Sequence, residues 1–509
     1  MPCHFFCLVR QLILAALLAL LLAGAAAPTL FADEKPAADR KDEETWAVLY
    51  IGKARVGYSR SATQYLTRDG QPIVRTHSEN YLALKRFGQD LKMRMRTDSD
   101  ETEAGDLLSF VFENDNPPAS RSVSRGVVKW DELVLDTTSA GTTTQTRKAW
   151  DKELKSSAYQ DRVLKEQPLK PGEKRSFRTW VPEFNSEATV GLKGVGEEQT
   201  TLLDGSKRKL MRIDVTQSIA PGIVTRAYLD ETGELVKTVQ SLGFYEVSSY
   251  AVPRDEALKA IEGADLDLAV DTLVKTGAIA DAHRTRRIVY RVTMPDDDPA
   301  QYLSVGDTQS IERIAPDTVD LTVIALPAPQ GASRITGKVD AEYLESNTHL
   351  QSDDKRVMAL ARAAAGNETD PWKVAVLMEK YVHDKLENKN FSTALASAAE
   401  VAEKLEGDCT EHACLLAAMA RVYKIPSRIV VGLVYAPKLE AFGGHMWTEV
   451  FIDGKWRPLD ATLGHGGIGA AHIKMGDSSF TDDKGTPVAA FLPLMNALGK
   501  MKIEVREKQ

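Results

Sequence analysis

Cys409, His445 and Asp460 offer a thiol, an imidazole and a carboxylate in an order suited to nucleophilic acyl transfer. An ordinary cysteine is mostly protonated at neutral pH. It acts as a nucleophile only where its thiolate is favoured and a base lies at hand. The residues around Cys409 meet the first condition. In Gly407-Asp408-Cys409-Thr410-Glu411, Asp408 is placed as a helix N-cap and Glu411 as its capping-box partner. Cys409 is then the first helical residue, where unpaired backbone N–H groups and the helix dipole favour a negative sulfur. Leu415, Leu416, Met419 and Val422 give the helix its buried face, and Pro426 turns the chain into a predicted strand from Arg428 to Tyr435.

The other two residues are expected on a hairpin. His445 follows the glycine-containing loop Ala436 to Gly444 and opens a predicted strand to Ile452, and Asp453-Gly454 is a two-residue turn signal. Pairing Ile452 with Lys455 puts His445 opposite Thr462 and Trp447 opposite Asp460. His445 and Asp460 are then diagonal neighbours on one face, with Cβ atoms roughly 7–8 Å apart and side chains within reach. In such a triad His445 takes the thiol proton and returns it to the leaving amine, while Asp460 fixes the imidazole tautomer. The Cys409 backbone N–H is expected to be one oxyanion donor. Trp447 and Glu449 share the His445 face, the first as a shield and the second as the partner of an arginine. His412 shares a face with Cys409 and is expected in a supporting or surface role. Cys414 lies about 140° around the helix and belongs to the core.

These residues carry a resemblance. The stretches GDCTEHA, AMARVYKIPSRIVVGLVY, HMWTEV and W-R-P-L-D-A-T resemble the transglutaminase-like branch of the papain-type cysteine enzymes, as found in exported bacterial proteins. The resemblance is specific from about Tyr343 to Leu463 and weak before it. It implies a thiol acyl-transfer fold in which Cys409, His445 and Asp460 act through a thioester, as a peptidase, an amidase or a cross-linking enzyme. Hydrolysis is the favoured outcome, because water is the default acceptor outside a shielded amine site. The rival reading is a non-enzymatic cell-envelope scaffold or peptide-binding protein on the same fold. An intact triad argues against it.

A zinc site built from Cys409, His412 and Cys414 with His445, His465 or His472 is disfavoured. The Cys-x2-His-x-Cys spacing on one helix does not converge on an ion, and neither a paired CxxC nor HExxH occurs. No metal and no cofactor are expected.

The elements that position the site are read as α+β. From Thr45 to about Tyr250 the pattern alternates, as in Leu91-Lys92-Met93-Arg94-Met95-Arg96, with Gly52, Asp69-Gly70 and Gly233 as turns. This predicts a large antiparallel β-rich N-terminal domain over 33–250, a curved sheet or open sandwich with a solvated basic face. A helical linker at 251–286, with short helices at 256–261 and 267–274, and a small β segment at 287–340 follow, then the transglutaminase-like domain at 341–509. Asp370-Pro371 starts a helix whose stripe is Trp372, Ala375, Val376, Tyr381, Val382 and Leu386. Phe491 to Leu498 reads as a helix and Met501 to Val505 as a closing strand.

The whole chain of 509 residues is ordinary in composition, 43% hydrophobic and 27% charged, with a net charge of −8. That balance, without a dense basic run, argues against nucleic acid as a partner. The expected partner is a peptide or protein substrate, and association with the cell envelope is compatible with the leader. Residues 1–27 read as a signal peptide: Arg10, the apolar run Leu12 to Leu22, then Ala23-Gly24-Ala25-Ala26-Ala27. The expected location is periplasmic or secreted, with an uncleaved anchor as the alternative. Cys3 and Cys7 leave with the leader. Cys409 and Cys414, roughly 8–9 Å apart on a helix, are too distant to pair with each other, so two unpaired thiols are expected.

Overall fold

The computed structural model describes residues 34–36 and 41–509, apart from 87–88, 117–119, 140, 221, 243–244, 262–271, 388–394, 482–489 and 498. The expected leader lies outside these residues, as does most of the helix expected at 267–274. The described residues of that helix, 272–274, are not helical: Val274 opens the strand Val274–Lys275, paired with Phe442 and Ala441. Among the described residues no helix is long and apolar enough to cross a membrane.

The N-terminal alternation folds into one antiparallel sheet of 15 strands, not two stacked sheets. Sequence neighbours pair from Glu43–Ile51 through Thr142–Ala149, and again from Lys174–Val181 through Tyr245–Ala251. The two runs meet where Tyr245–Ala251 pairs with Glu43–Ile51. A sheet this wide curls, because each strand twists against the next. The Asp69-Gly70 turn has both residues at positive φ (52° and 77°), the backbone that matches the twist of its strands. Leu91, Met93 and Met95 are buried, as their alternation predicts. Of their basic neighbours Lys92 is exposed, as expected of a solvated face, while the other two are paired with acids. Arg94 and Arg96 pair with Glu79, and Arg96 also with Glu113.

The small β segment is a separate sheet. Gln309–Ala315, Thr318–Ile324 and Arg287–Thr293 pair in that order, and the last strand of the chain, Lys502–Lys508, adds to Arg287–Thr293. The expected closing strand is therefore present and completes this sheet.

Between them lie the elements that position the site. Capped helices come first: Lys355–Ala365 behind Asp354, Pro371–Lys385 behind Asp370, Ala398–Lys404 behind Ser397, and Cys409–Val422 behind Asp408. In the last of these Leu415, Leu416 and Met419 are at most 1% exposed. Burying side chains of that size stabilises by roughly 1.5–3 kcal/mol each. The helix end is clamped by the buried Arg421, which donates to the carbonyls of Glu345, Ser427 and Ser479.

The strand Ala441–Ile452 is flanked on one edge by Ser427–Ala436, which in turn pairs with His472–Ser478. Its other edge is shared. Val274–Lys275 pairs at residues 441–442 and Lys455–Leu459 at 448–452, so that among the described residues 443–447 have no strand neighbour on that side.

Candidate active site

The nucleophile helix begins as its sequence dictates. Asp408 accepts from the Thr410 N–H at 3.0 Å, and Glu411 accepts from the Asp408 N–H at 2.9 Å. Both halves of the capping box are present, so Cys409 occupies the first helical position. Gly407 makes room for this: its φ is 143°, and a Cβ there would meet the Glu411 Cβ at 2.4 Å. Glu411 reaches further and accepts from the Ala396 N–H at 3.0 Å. Burial, and then the charge of Asp408, push its carboxyl up to about 8.

Cys409 Sγ lies against the open stretch of the central strand, where it accepts from the Met446 N–H at 3.3 Å. That donor and the helix N-terminus both favour negative charge on the sulfur. Cys409 is disulfide-bonded in the structure, whereas Cys414 is free and fully buried. As their spacing on the helix predicts, the two are not joined to each other, and the partner of Cys409 lies outside the described residues. Cys409 can act as a nucleophile only once reduced to the thiol.

The hairpin has the register read from its turn. Ile452 pairs with Lys455 and Thr448 with Leu459, and Asp453-Gly454 carries positive φ at both residues (53° and 72°). His445 Nε2 lies 2.8 Å from Asp460 Oδ2, both side chains being 1% exposed. An ionised carboxylate only accepts, so Nε2 carries the hydrogen. Nδ1 is then the basic nitrogen, and it is buried without a hydrogen-bond partner. Asp460 Oδ1 takes the Thr462 N–H at 2.9 Å. Burial alone would raise the Asp460 carboxyl, but His445 and then His472 outweigh it and hold it well below the ordinary carboxylate range.

Two residues at this carboxylate were not singled out as site residues from the sequence. Glu379, on the helix Pro371–Lys385, accepts from the Asp460 N–H at 3.0 Å and the Gly466 N–H at 2.7 Å. Burial, then the nearby Asp460 charge, push its carboxyl up to about 8. Its signal was a carboxylate on the buried face, four residues after Ala375 and three before Val382. His472, on the strand His472–Ser478, places Nε2 3.1 Å from the same Asp460 Oδ2. The sequence offers it only as a member of the disfavoured zinc set.

Trp447 covers the pair. Its ring stacks at 6.2 Å from the His445 ring and meets the His472 ring edge-on at 5.3 Å. Gly432 permits this packing, since a Cβ there would lie 2.1 Å from the Ile473 carbonyl oxygen and 2.9 Å from Trp447. Glu449 finds its arginine, Arg428 at 2.8 Å, and also Lys474 at 2.7 Å. His412 is not at the surface. It is fully buried and holds the helix start, Nδ1–H donating to the Asp408 carbonyl at 2.6 Å.

The donor atoms of His445, Asp460 and His472 lie within 4.8 Å of one another, near enough to hold an ion. As arranged, both Nε2–H groups are satisfied by the carboxylate, so hydrogen bonding alone accounts for the cluster. Of the ligands weighed from the sequence, His445 and His472 meet here, whereas His412 bonds to its own helix start and Cys414 is buried in the core.

Residues 358–461 match the family model of the Transglutaminase-like superfamily, so the chain carries a transglutaminase-like domain there. A search among curated proteins gave no match. Among solved structures the chain is similar to a candidate cysteine protease from Cytophaga hutchinsonii, at 15% identity over 44% of this chain and 89% of that one (TM-score 0.28). It is also similar to a β-barrel-like protein of a domain of unknown function from Brucella abortus, at 8% identity over 41% and 95% (TM-score 0.29). A candidate protease from Parabacteroides distasonis shares 13% identity over 67% and 64% (TM-score 0.19). Scores this low carry no argument about activity. The functional case rests on the domain and its residues.

Proposed function

We propose that this transglutaminase-like domain makes the chain an exported, cysteine-dependent acyl-transfer enzyme that hydrolyses amide bonds of peptides or proteins. The observation that carries the reading is the orientation of His445: Nε2 is bound to Asp460, and Nδ1 is left basic beside the residue whose backbone N–H meets Cys409 Sγ.

In the reaction, His445 Nδ1 takes the thiol proton and the sulfur attacks the amide carbonyl carbon. The oxyanion forms near the start of the nucleophile helix, where the positive end of the helix dipole stabilises it. The imidazolium gives its proton to the leaving nitrogen, the C–N bond breaks and a thioester remains. Water, deprotonated by the same imidazole, attacks the thioester. The C–S bond breaks, and the acid leaves with the thiol restored. An amine in place of water would give transamidation.

The test uses reduced protein, amide and peptide substrates, and hydroxylamine as a trap. Substrate cleavage with hydroxamate formation, both lost in Cys409→Ala, is the expected result. Incorporation of amines without cleavage would make the chain a cross-linker. Neither product, with an unreactive Cys409, would favour a scaffold.

A further inference from the structure

His472 shares an oxygen with His445. Asp460 presents two carboxylate oxygens, and Oδ1 is already engaged by the Thr462 N–H at 2.9 Å. Both imidazoles converge on Oδ2, at 2.8 Å from His445 and 3.1 Å from His472. A residue that only filled space there would not need a donor, and one that only oriented the carboxylate would serve as well on Oδ1. A second N–H on the oxygen that His445 uses draws charge away from His445.

We propose that His472 is a positioning residue of the thiol reaction, dividing the charge of Asp460 Oδ2 so that the His445 imidazolium releases its proton more readily. The proposal rests on the Cys409–His445 reading above and concerns how that site is set. A carboxylate given wholly to His445 would hold the imidazolium tightly. The proton would then be slow to reach the leaving amine, and the base slow to be regenerated for the water step. Sharing the oxygen weakens that grip while keeping the tautomer.

The surroundings allow His472 to act as a neutral donor. It is fully buried, and burial lowers its tendency to be protonated, against the pull of Asp460. Its ring is faced by the His445 ring at 5.9 Å and by the His283 ring, from the turn Ala282–Arg284, at 5.8 Å. On its own strand, Lys474 is paired with Glu449 and Asp477. Glu379 accepts from the Asp460 backbone N–H, and Cys409 Sγ accepts from the N–H of Met446, the residue after His445. Asp460 is thus the carboxylate that His472 contacts.

The experiment needs no substrate. Iodoacetamide labelling of Cys409 is followed against pH in the reduced full chain, as wild type, His472→Phe and His472→Gln. A thiolate beside an imidazolium and one beside a neutral imidazole react at different rates. The profile therefore has two steps, the upper one marking loss of the His445 proton. His472→Phe keeps an aromatic ring against Trp447 but removes the donor, and its upper step should move up by about one pH unit. His472→Gln keeps an N–H within reach of Oδ2 and should return the step to near its wild-type position. Should the Phe variant not fold, His472→Leu takes its place. An upper step that stays put in the donor-less variant, with labelling slowed equally at all pH, would overturn the proposal while leaving the thiol reading intact. A wild-type profile with a single ordinary thiol step would overturn both.

Discussion

His445 Nε2 meets Asp460 Oδ2 at 2.8 Å across the open end of a hairpin whose turn, Asp453-Gly454, sets which side chains share that face. The contact is local in the fold: one register decides whether an imidazole and a carboxylate meet. Asp460→Asn keeps the shape and removes the charge. Labelling of Cys409 near neutral pH should then fall roughly tenfold or more, since a hydrogen bond to a charged group contributes ~1.5–3 kcal/mol. An unchanged rate would mean that Asp460 does not support the imidazolium.

The same carboxylate sets an acid limit to stability. Its folded-state value is depressed, so its contribution is present above the unfolded carboxylate value of about 3.9 and is lost as pH falls below it. Thermal melts between about pH 5 and 2 should show wild type losing stability more steeply than Asp460→Asn. Parallel curves would count against the paired, ionised Asp460.

Glu379 works in the opposite sense. Its folded value, about 8, lies above that of an unfolded glutamate. The folded chain therefore holds a proton that the unfolded chain has lost, and stability falls as pH rises from about 4.3 through about 8. Glu379→Gln is neutral and nearly the same shape, so it should flatten that slope in melts taken from pH ~5 to 9. Glu379→Ala strands the N–H groups of Asp460 and Gly466 and should cost about 1–3 kcal/mol for each. A slope identical in wild type and Glu379→Gln would show that the carboxyl is ionised throughout.

How far the sequence reaches follows from how local each signal is. Cys409 was legible because a capping box is written within four residues, and His445 and Asp460 because a two-residue turn fixes the register around it. Glu379 lies 81 residues before Asp460 on a helix, and His472 follows it by 12 residues on a strand that no turn signal ties to the hairpin, so nothing in their own neighbourhoods says that they end on one carboxylate. The N-terminal alternation gave the buried faces of strands such as Leu91-Lys92-Met93, but alternation does not say which strands pair. That Tyr245–Ala251 closes onto Glu43–Ile51, making one sheet, is a long-range fact. The pairing of Arg94 and Arg96 is the same kind of fact, since Glu79 and Glu113 lie on neighbouring strands.

Gly432 tests the packing that brings His472 and Trp447 together. A Cβ would lie 2.1 Å from the Ile473 carbonyl oxygen, part of a backbone that cannot swing aside as a side chain does. Gly432→Ala should destabilise by roughly 1–3 kcal/mol, the range for overpacking, and should slow Cys409 labelling in the fraction that folds. A variant that melts and labels like wild type would show that the two strands have room to part.

Cys414 serves as the internal control. It is fully buried and its thiol is pushed up by that burial, so native protein should not label there at any pH below denaturation. Cys414→Ala should leave the Cys409 profile unchanged. Labelling of Cys414 at a rate near that of Cys409 would mean that the helix opens readily.

The central claim is tested most directly by alkylating the reduced protein with iodoacetamide from about pH 5 to 9 and locating the adduct by peptide mass spectrometry, for wild type and His445→Ala. The account predicts fast labelling of Cys409 at or below about pH 6.5, slowed by the histidine change, with Cys414 untouched. Labelling of Cys409 only as pH approaches about 8.5, at the same rate with and without His445, would contradict it.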